Sequence, residues 1–90
     1  MLNNAMVEFA GTLIFLYSII ATGNPIVFCT TLALVVCLGG YLGHAGGNYN
    51  PAITVMMVGA KKQPMNTLVP YIIAQIAGAL TALQLYKRIH

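Results

Sequence analysis

Few side chains in this 90-residue sequence can do chemistry. One carboxylate (Glu8), two imidazoles (His44 and His90), two thiols (Cys29 and Cys37) and four Lys or Arg residues are the ionisable and nucleophilic groups it offers, apart from tyrosines. One Glu, no Asp and two His leave almost nothing from which to build an acid–base pair, so the composition argues against an enzyme. There is no C-x-x-C and no Cys/His cluster of zinc type, so no metal or other cofactor is implied. What remains is chemistry by backbone and amide, concentrated in one run: Gly46-Gly47-Asn48-Tyr49-Asn50-Pro51-Ala52-Ile53-Thr54.

Asn50-Pro51 reads as a helix start, because Asn is a favoured N-cap and Pro suits the first helical position. The helix it opens, over about 51–60, is only about 15 Å long, half the ~30 Å hydrocarbon thickness of a bilayer. Its first turn leaves backbone N–H groups unpaired and carries the positive end of the helix dipole. Asn50 can add a side-chain N–H. Such a tip offers donors to a neutral hydroxylic solute and a positive potential to a cation. Taken alone, Asn-Pro is an ordinary turn signal; its setting inside an apolar chain favours a re-entrant pore element instead.

The elements that must hold this run are apolar. The chain is 59% hydrophobic and 6% charged, with a mean hydropathy of +0.83, where soluble chains carry about 25% charged residues. A membrane protein embedded in a lipid bilayer is the expected class. After a polar lead over 1–4, apolar segments over about 5–21, 26–42 and 67–86 read as three spans. Thr22-Gly23-Asn24-Pro25 turns the first into the second, and Lys61-Lys62-Gln63-Pro64 ends the half-helix and returns the chain to water. Gly39, Gly43 and Gly47 recur every four residues, as do Ala74, Gly78 and Ala82, the small-residue spacing that allows close helix contact. Cys29 and Cys37, about 12 Å apart along one helix, are too distant for a mutual disulfide and are expected to be buried free thiols. The N-terminus has no basic n-region, so no cleaved signal peptide is expected.

Three motifs, in order, make the chain resemble the N-terminal half of the major intrinsic protein family, the aquaporins and aquaglyceroporins. Val7-Glu8-Phe9-Ala10-Gly11-Thr12 resembles that family's Glu-Phe-x-Gly-Thr opening. Gly46 to Thr54 resembles its first Asn-Pro-Ala loop, and Tyr71-Ile72-Ile73-Ala74-Gln75-Ile76-Ala77-Gly78-Ala79 resembles Tyr-x-x-Ala-Gln-x-x-Gly-Ala of its third helix. The resemblance implies an all-α membrane protein, multi-pass and integral, with three transmembrane helices plus one re-entrant half-helix, forming a single half unit over 1–90. It implies a pore motif of Asn50, Pro51 and Ala52. Loop support would come from Glu8, Gly46, Gly47, Asn48, Gln75 and Gly78, with Glu8 and Gln75 behind the loop rather than on the solute. By offset from the motif, Thr30, Leu38 and Ile53 would form a filter without a fixed cation.

Two departures stand out. Asn48 occupies the place of the family's His, and His44, four residues earlier, is expected at a span end as an interface residue. The family also has two half-helices, where this chain has one.

The function expected is therefore a passive channel for water or a small neutral solute such as glycerol, completed by a second half. Lys61-Lys62 and Lys87-Arg88 would emerge on opposite sides, so the positive-inside rule gives little preferred orientation, and an antiparallel pair of copies becomes feasible. A partner chain is the other source. The competing readings are a partial channel half that does not conduct alone, a small proton-coupled exporter using Glu8, and a holin-type lysis protein. The separated basic pairs make no stripe for nucleic acid.

Overall fold

Three asparagines start three of the helices. In the computed structural model, which describes residues 3–44 and 46–90, the side-chain oxygens of Asn3, Asn24 and Asn50 each accept the N–H two residues on, at 2.7, 2.9 and 2.8 Å. These caps open α1 (Asn4–Thr22), α2 (Pro25–Tyr41) and α3 (Pro51–Gly59). Pro25 and Pro51 each take the first helical position, where the missing N–H is not needed. A single 3-10 turn, Met65–Thr67, leads into α4 (Leu68–Ile89). Residues 1 and 2 of the expected polar lead lie outside the described residues; Asn3 is the cap of α1 and Asn4 is already helical.

All regular structure among the described residues is helical. α1 and the stretch Met65–Ile89 are long and apolar enough to cross a membrane, while α2, at 17 residues, is a shorter apolar helix. Gly23, in the left-handed conformation (φ 58°), ends α1 and donates its N–H to the Ile19 carbonyl at 2.8 Å. Lys87 and Arg88 sit within the last turn of α4 rather than beyond it, where cations face the negative end of the helix dipole.

α1 packs against both α2 and α4, and α3 packs against α4. The closest crossing is at Gly78. A Cβ there would lie 2.8 Å from the Phe9 carbonyl oxygen and 3.1 Å from the Leu13 nitrogen, so only glycine lets α4 approach the backbone of α1 this closely. Ala74 and Ala82, one turn to either side, are buried with it.

The expected seam of Gly39, Gly43 and Gly47 is not a helix–helix contact. α2 ends at Tyr41, so Gly43 and Gly47 belong to the following loop, and Gly39 faces a side chain of that loop. Cys29 and Cys37 are exposed rather than buried. α2 packs chiefly against α1, which leaves most of its circumference uncovered within one chain.

One end of the bundle gathers Asn4, Gly43, His44, Lys62, Gln63 and Thr67 around a cavity of about 450 Å³. The chain therefore leaves this end in the loop after α2 and comes back to it through α3. Between those points it dips inward. The hydroxyl of its Tyr49 side chain reaches the Val35 carbonyl, about 9 Å below the last residue of α2.

Candidate functional site

The inward loop is held from behind by one carboxylate. Glu8, four residues into α1, is completely buried. Its Oε1 accepts the Tyr49 N–H at 2.7 Å and the Gln75 side-chain N–H at 2.7 Å. Its Oε2 accepts the Asn48 N–H at 2.9 Å and lies 2.6 Å from His44 Nε2. Three of these partners are obligate donors. The fourth partner, His44 Nε2, can donate or accept according to its tautomer, and it donates when the carboxyl group is ionised. Each oxygen thus has two hydrogen-bond partners, so a polar group removed from water is not left unpaired.

His44 is accordingly not the interface residue expected at the end of a span. It is 4% exposed, with its ring edge-on to Tyr49 and Tyr71. The Gly39 carbonyl, which accepts the His44 N–H at 2.7 Å, turns the chain inward just past α2 and aims the imidazole at α1.

A second junction lies on the α3 side. Thr54, fully buried in the first turns of α3, accepts through Oγ1 from Gln75 Nε2 at 2.8 Å and from Asn48 Nδ2 at 2.9 Å. Its own hydroxyl is 3.3 Å from the Asn50 carbonyl. Asn48 Nδ2 also reaches Gln63 Oε1 at 3.0 Å, tying the start of the loop to the segment after α3. Gln75 Oε1 has no hydrogen-bond partner among the described residues, so that amide is held by its nitrogen alone.

The loop's own shape comes from Gly46, with φ 73°, and Tyr49, with φ 56°. A left-handed conformation at a non-glycine residue costs about 1–2 kcal/mol. The Tyr49 ring is 1% exposed and packs against the Cα positions of Gly11, Gly39 and Gly47. Its hydroxyl donates to the Val35 carbonyl at 3.1 Å. Gly47 thus gives room for a ring, and Gly46 gives the turn.

At the tip, Asn50 is exposed and spends its Oδ1 on the Ala52 N–H. This leaves the Nδ2 hydrogens as the amide's remaining donors, at the positive end of α3. Pro51 is half-buried, and Ala52 and Ile53 are exposed beside it. Thr30 and Leu38 are exposed on α2. Leu38 lines an apolar groove of about 630 Å³ with residues of α1 and α4, and neither Thr30, Ile53 nor Asn50 lines that groove. Of the three filter positions, then, only Leu38 faces that groove.

Tyr49, Thr54 and Gln63 are site residues that sequence reasoning did not single out. Thr54 stood within the motif, four residues past the cap. Gln63 had no signal beyond its place in a turn.

Comparison with known proteins adds the relationship. Aquaporin PIP-type of Atriplex canescens is 33% identical over 98 residues, which cover 92% of this chain and 35% of that protein. Glycerol uptake facilitator protein-like 6 of Lactiplantibacillus plantarum is 34% identical over 84 residues, covering 86% of this chain and 39% of that protein. Aquaporin Z of Bradyrhizobium diazoefficiens is 38% identical over 52 residues, or 57% of this chain and 22% of that protein. The chain resembles the aquaporin and glycerol-facilitator family, and it spans between a third and two fifths of the length of the first two relatives. No family model and no solved structure matches it.

Proposed function

We propose that this aquaporin-like chain is one half of a passive transmembrane channel for water or small neutral solutes. In this reading α1, α2 and α4 span the bilayer and α3 is a re-entrant half-helix with its cap, Asn50, at depth. The observation that carries the proposal is the state of Asn50. Its carbonyl oxygen is consumed by the helix cap, its amide N–H groups are left over, and the residue is exposed at the positive end of a nine-residue helix. A solute with lone pairs meets a donor there, and a cation meets a positive potential.

A single half-helix supplies one side of a pathway. The other side would come from a second half unit, either an antiparallel copy of this chain or a partner chain, whose own half-helix would meet the exposed tip at Asn50. Backbone of this kind is tolerated at membrane depth only where protein or a wet cavity covers it, which supports the need for that second half. Ile53, exposed in the first turn of α3, is the residue placed to narrow the mouth beside it.

The exporter reading is opposed by the same geometry. Glu8 is 0% exposed and each of its oxygens has two hydrogen-bond partners that hold the loop, so no solute reaches it without dismantling the loop.

The test is reconstitution into vesicles, with swelling followed separately in water and glycerol gradients and the assembly state read by cross-linking in the same membranes. The expected result is solute flux from a cross-linked dimer or higher assembly. Permeability equal to that of lipid alone, from protein cross-linked as a dimer, would sink the proposal.

A further inference from the structure

Tyr49 is the one loop residue that joins three separate features. It holds a backbone conformation that side chains rarely adopt, at φ 56°. Its ring occupies the space that a Cβ would need at Gly11 of α1 and at Gly47 of the loop itself, and its hydroxyl oxygen the space at Gly39 of α2. Its hydroxyl reaches Val35 of α2, and its N–H reaches Glu8 of α1. Glycine would meet the backbone requirement at this position without strain, so the backbone alone does not call for tyrosine. The ring is what the position uses.

We infer that Tyr49 is the positioning residue that sets the depth and orientation of Asn50, with Gly11, Gly39 and Gly47 as its seat. Asn50 follows Tyr49 directly, and its side-chain oxygen is hydrogen-bonded within its own helix, to the Ala52 N–H. On the α3 side Asn50 is held to α4 through Thr54 and Gln75; on the side of α1 and α2 it is held through Tyr49. The ring is rigid, with two side-chain torsions, and it is fixed at the backbone end by Glu8 and at the phenol end by Val35. A shift of either end moves the exposed amide. For its effect on flux the inference rests on the channel reading; the placement itself can be measured without flux.

The seat makes a specific double-substitution test available. A Cβ at Gly39 would collide with the Tyr49 hydroxyl oxygen, while its next neighbours, Val7 Cγ1 at 3.4 Å and the His44 carbonyl at 3.5 Å, are at ordinary contact distance. A Cβ at Gly11 would collide with ring carbons instead. Removing the hydroxyl with Tyr49→Phe therefore relieves Gly39→Ala and does not relieve Gly11→Ala.

The probe is the labelling rate of Ile53→Cys by a water-soluble thiol reagent, in full-length protein in vesicles with Cys29→Ser and Cys37→Ser, alongside vesicle swelling. Gly39→Ala is expected to change the labelling rate about tenfold, and Gly39→Ala with Tyr49→Phe to return within about twofold of Tyr49→Phe alone. Gly11→Ala with Tyr49→Phe should stay displaced. If Gly39→Ala fails to fold, recovery of folded protein by added Tyr49→Phe is itself the expected rescue. Unchanged labelling in Gly39→Ala, or equal rescue of both glycine variants, overturns the inference. Absence of flux in the parent protein counts against the channel reading alone, because the labelling comparison decides Tyr49 without it.

Discussion

Gln75 and Glu8, 67 positions apart in the chain, meet through a hydrogen bond of 2.7 Å from the Gln75 amide nitrogen to Glu8 Oε1. The same nitrogen donates to Thr54 at 2.8 Å. One side chain of α4 therefore ties α1 to α3, and the loop between α2 and α3 is closed in behind the pair.

Replacing Gln75 by Leu would remove both donors and leave Glu8 Oε1 with the Tyr49 N–H alone. Hydrogen bonds to a charged group contribute about 1.5–3 kcal/mol, so a loss of at least about 2 kcal/mol is expected. Thermal unfolding in detergent, followed by circular dichroism, should shift to lower temperature. Gln75→Glu should be worse, since it sets a second carboxylate against Glu8. An unchanged midpoint in both variants would show that the junction contributes nothing to stability.

Glu8→Gln would turn one accepting oxygen into an NH₂ group facing two partners. On the Oε2 side the Asn48 N–H would lose its acceptor while His44 can change tautomer to accept, so at least one of the four hydrogen bonds would be lost, at a cost of about 1.5–3 kcal/mol. The expected outcome is reduced folded yield together with reduced swelling, and no dependence of solute flux on a proton gradient in either protein. Gradient-driven uptake in the parent that vanishes in a well-folded Glu8→Gln variant would instead revive the exporter reading.

Asn50 separates cap from donor. Asn50→Ala loses the cap and should destabilise α3 by about 1 kcal/mol. Asn50→Asp keeps an oxygen for the Ala52 N–H, but it replaces the remaining N–H donors with negative charge. Swelling in glycerol or water should fall in Asn50→Asp, and a cation leak should appear in a membrane-potential dye assay. Wild-type swelling with no leak would place Asn50 off the pathway.

Gly78→Ala tests the crossing of α1 and α4. The new Cβ would meet backbone atoms of Phe9 and Leu13 at 2.8 and 3.1 Å, and backbone cannot swing aside as a side chain does. Overpacking of this kind costs about 1–3 kcal/mol. Hydrogen exchange should rise at the facing turns of α1 and α4, centred on Phe9–Leu13. Exchange unchanged there would mean that the helices part without cost.

The helices were legible in the sequence because their boundaries are local. Asn24-Pro25, Asn50-Pro51 and Pro64 break the chain by their own backbone chemistry, and a cap needs only the two residues beside it. The all-helical class and the short length of α3 follow from the same signals. His44 was misplaced for the opposite reason. Nothing near it in the chain marks a partner in α1, and the contact exists only once the loop folds inward. Gly39 and Gly47 carried a true signal with the wrong partner: their spacing marks close approach, and what approaches is a ring rather than a helix. Cys29 and Cys37 show a further limit. Apolar type indicates removal from water, and in one uncovered helix that need not mean burial within the same chain.

Glu8 has a further consequence, concerning time. It lies in α1, and the side-chain partners of its carboxylate come 36 and 67 residues later, at His44 and Gln75. At ~5–20 residues added per second, the charge waits seconds for its last donor. A lone carboxylate is costly in hydrocarbon. α1 can therefore settle fully only after α4 has arrived, and the arrival of Gln75 is the step that completes the shell around the carboxyl group.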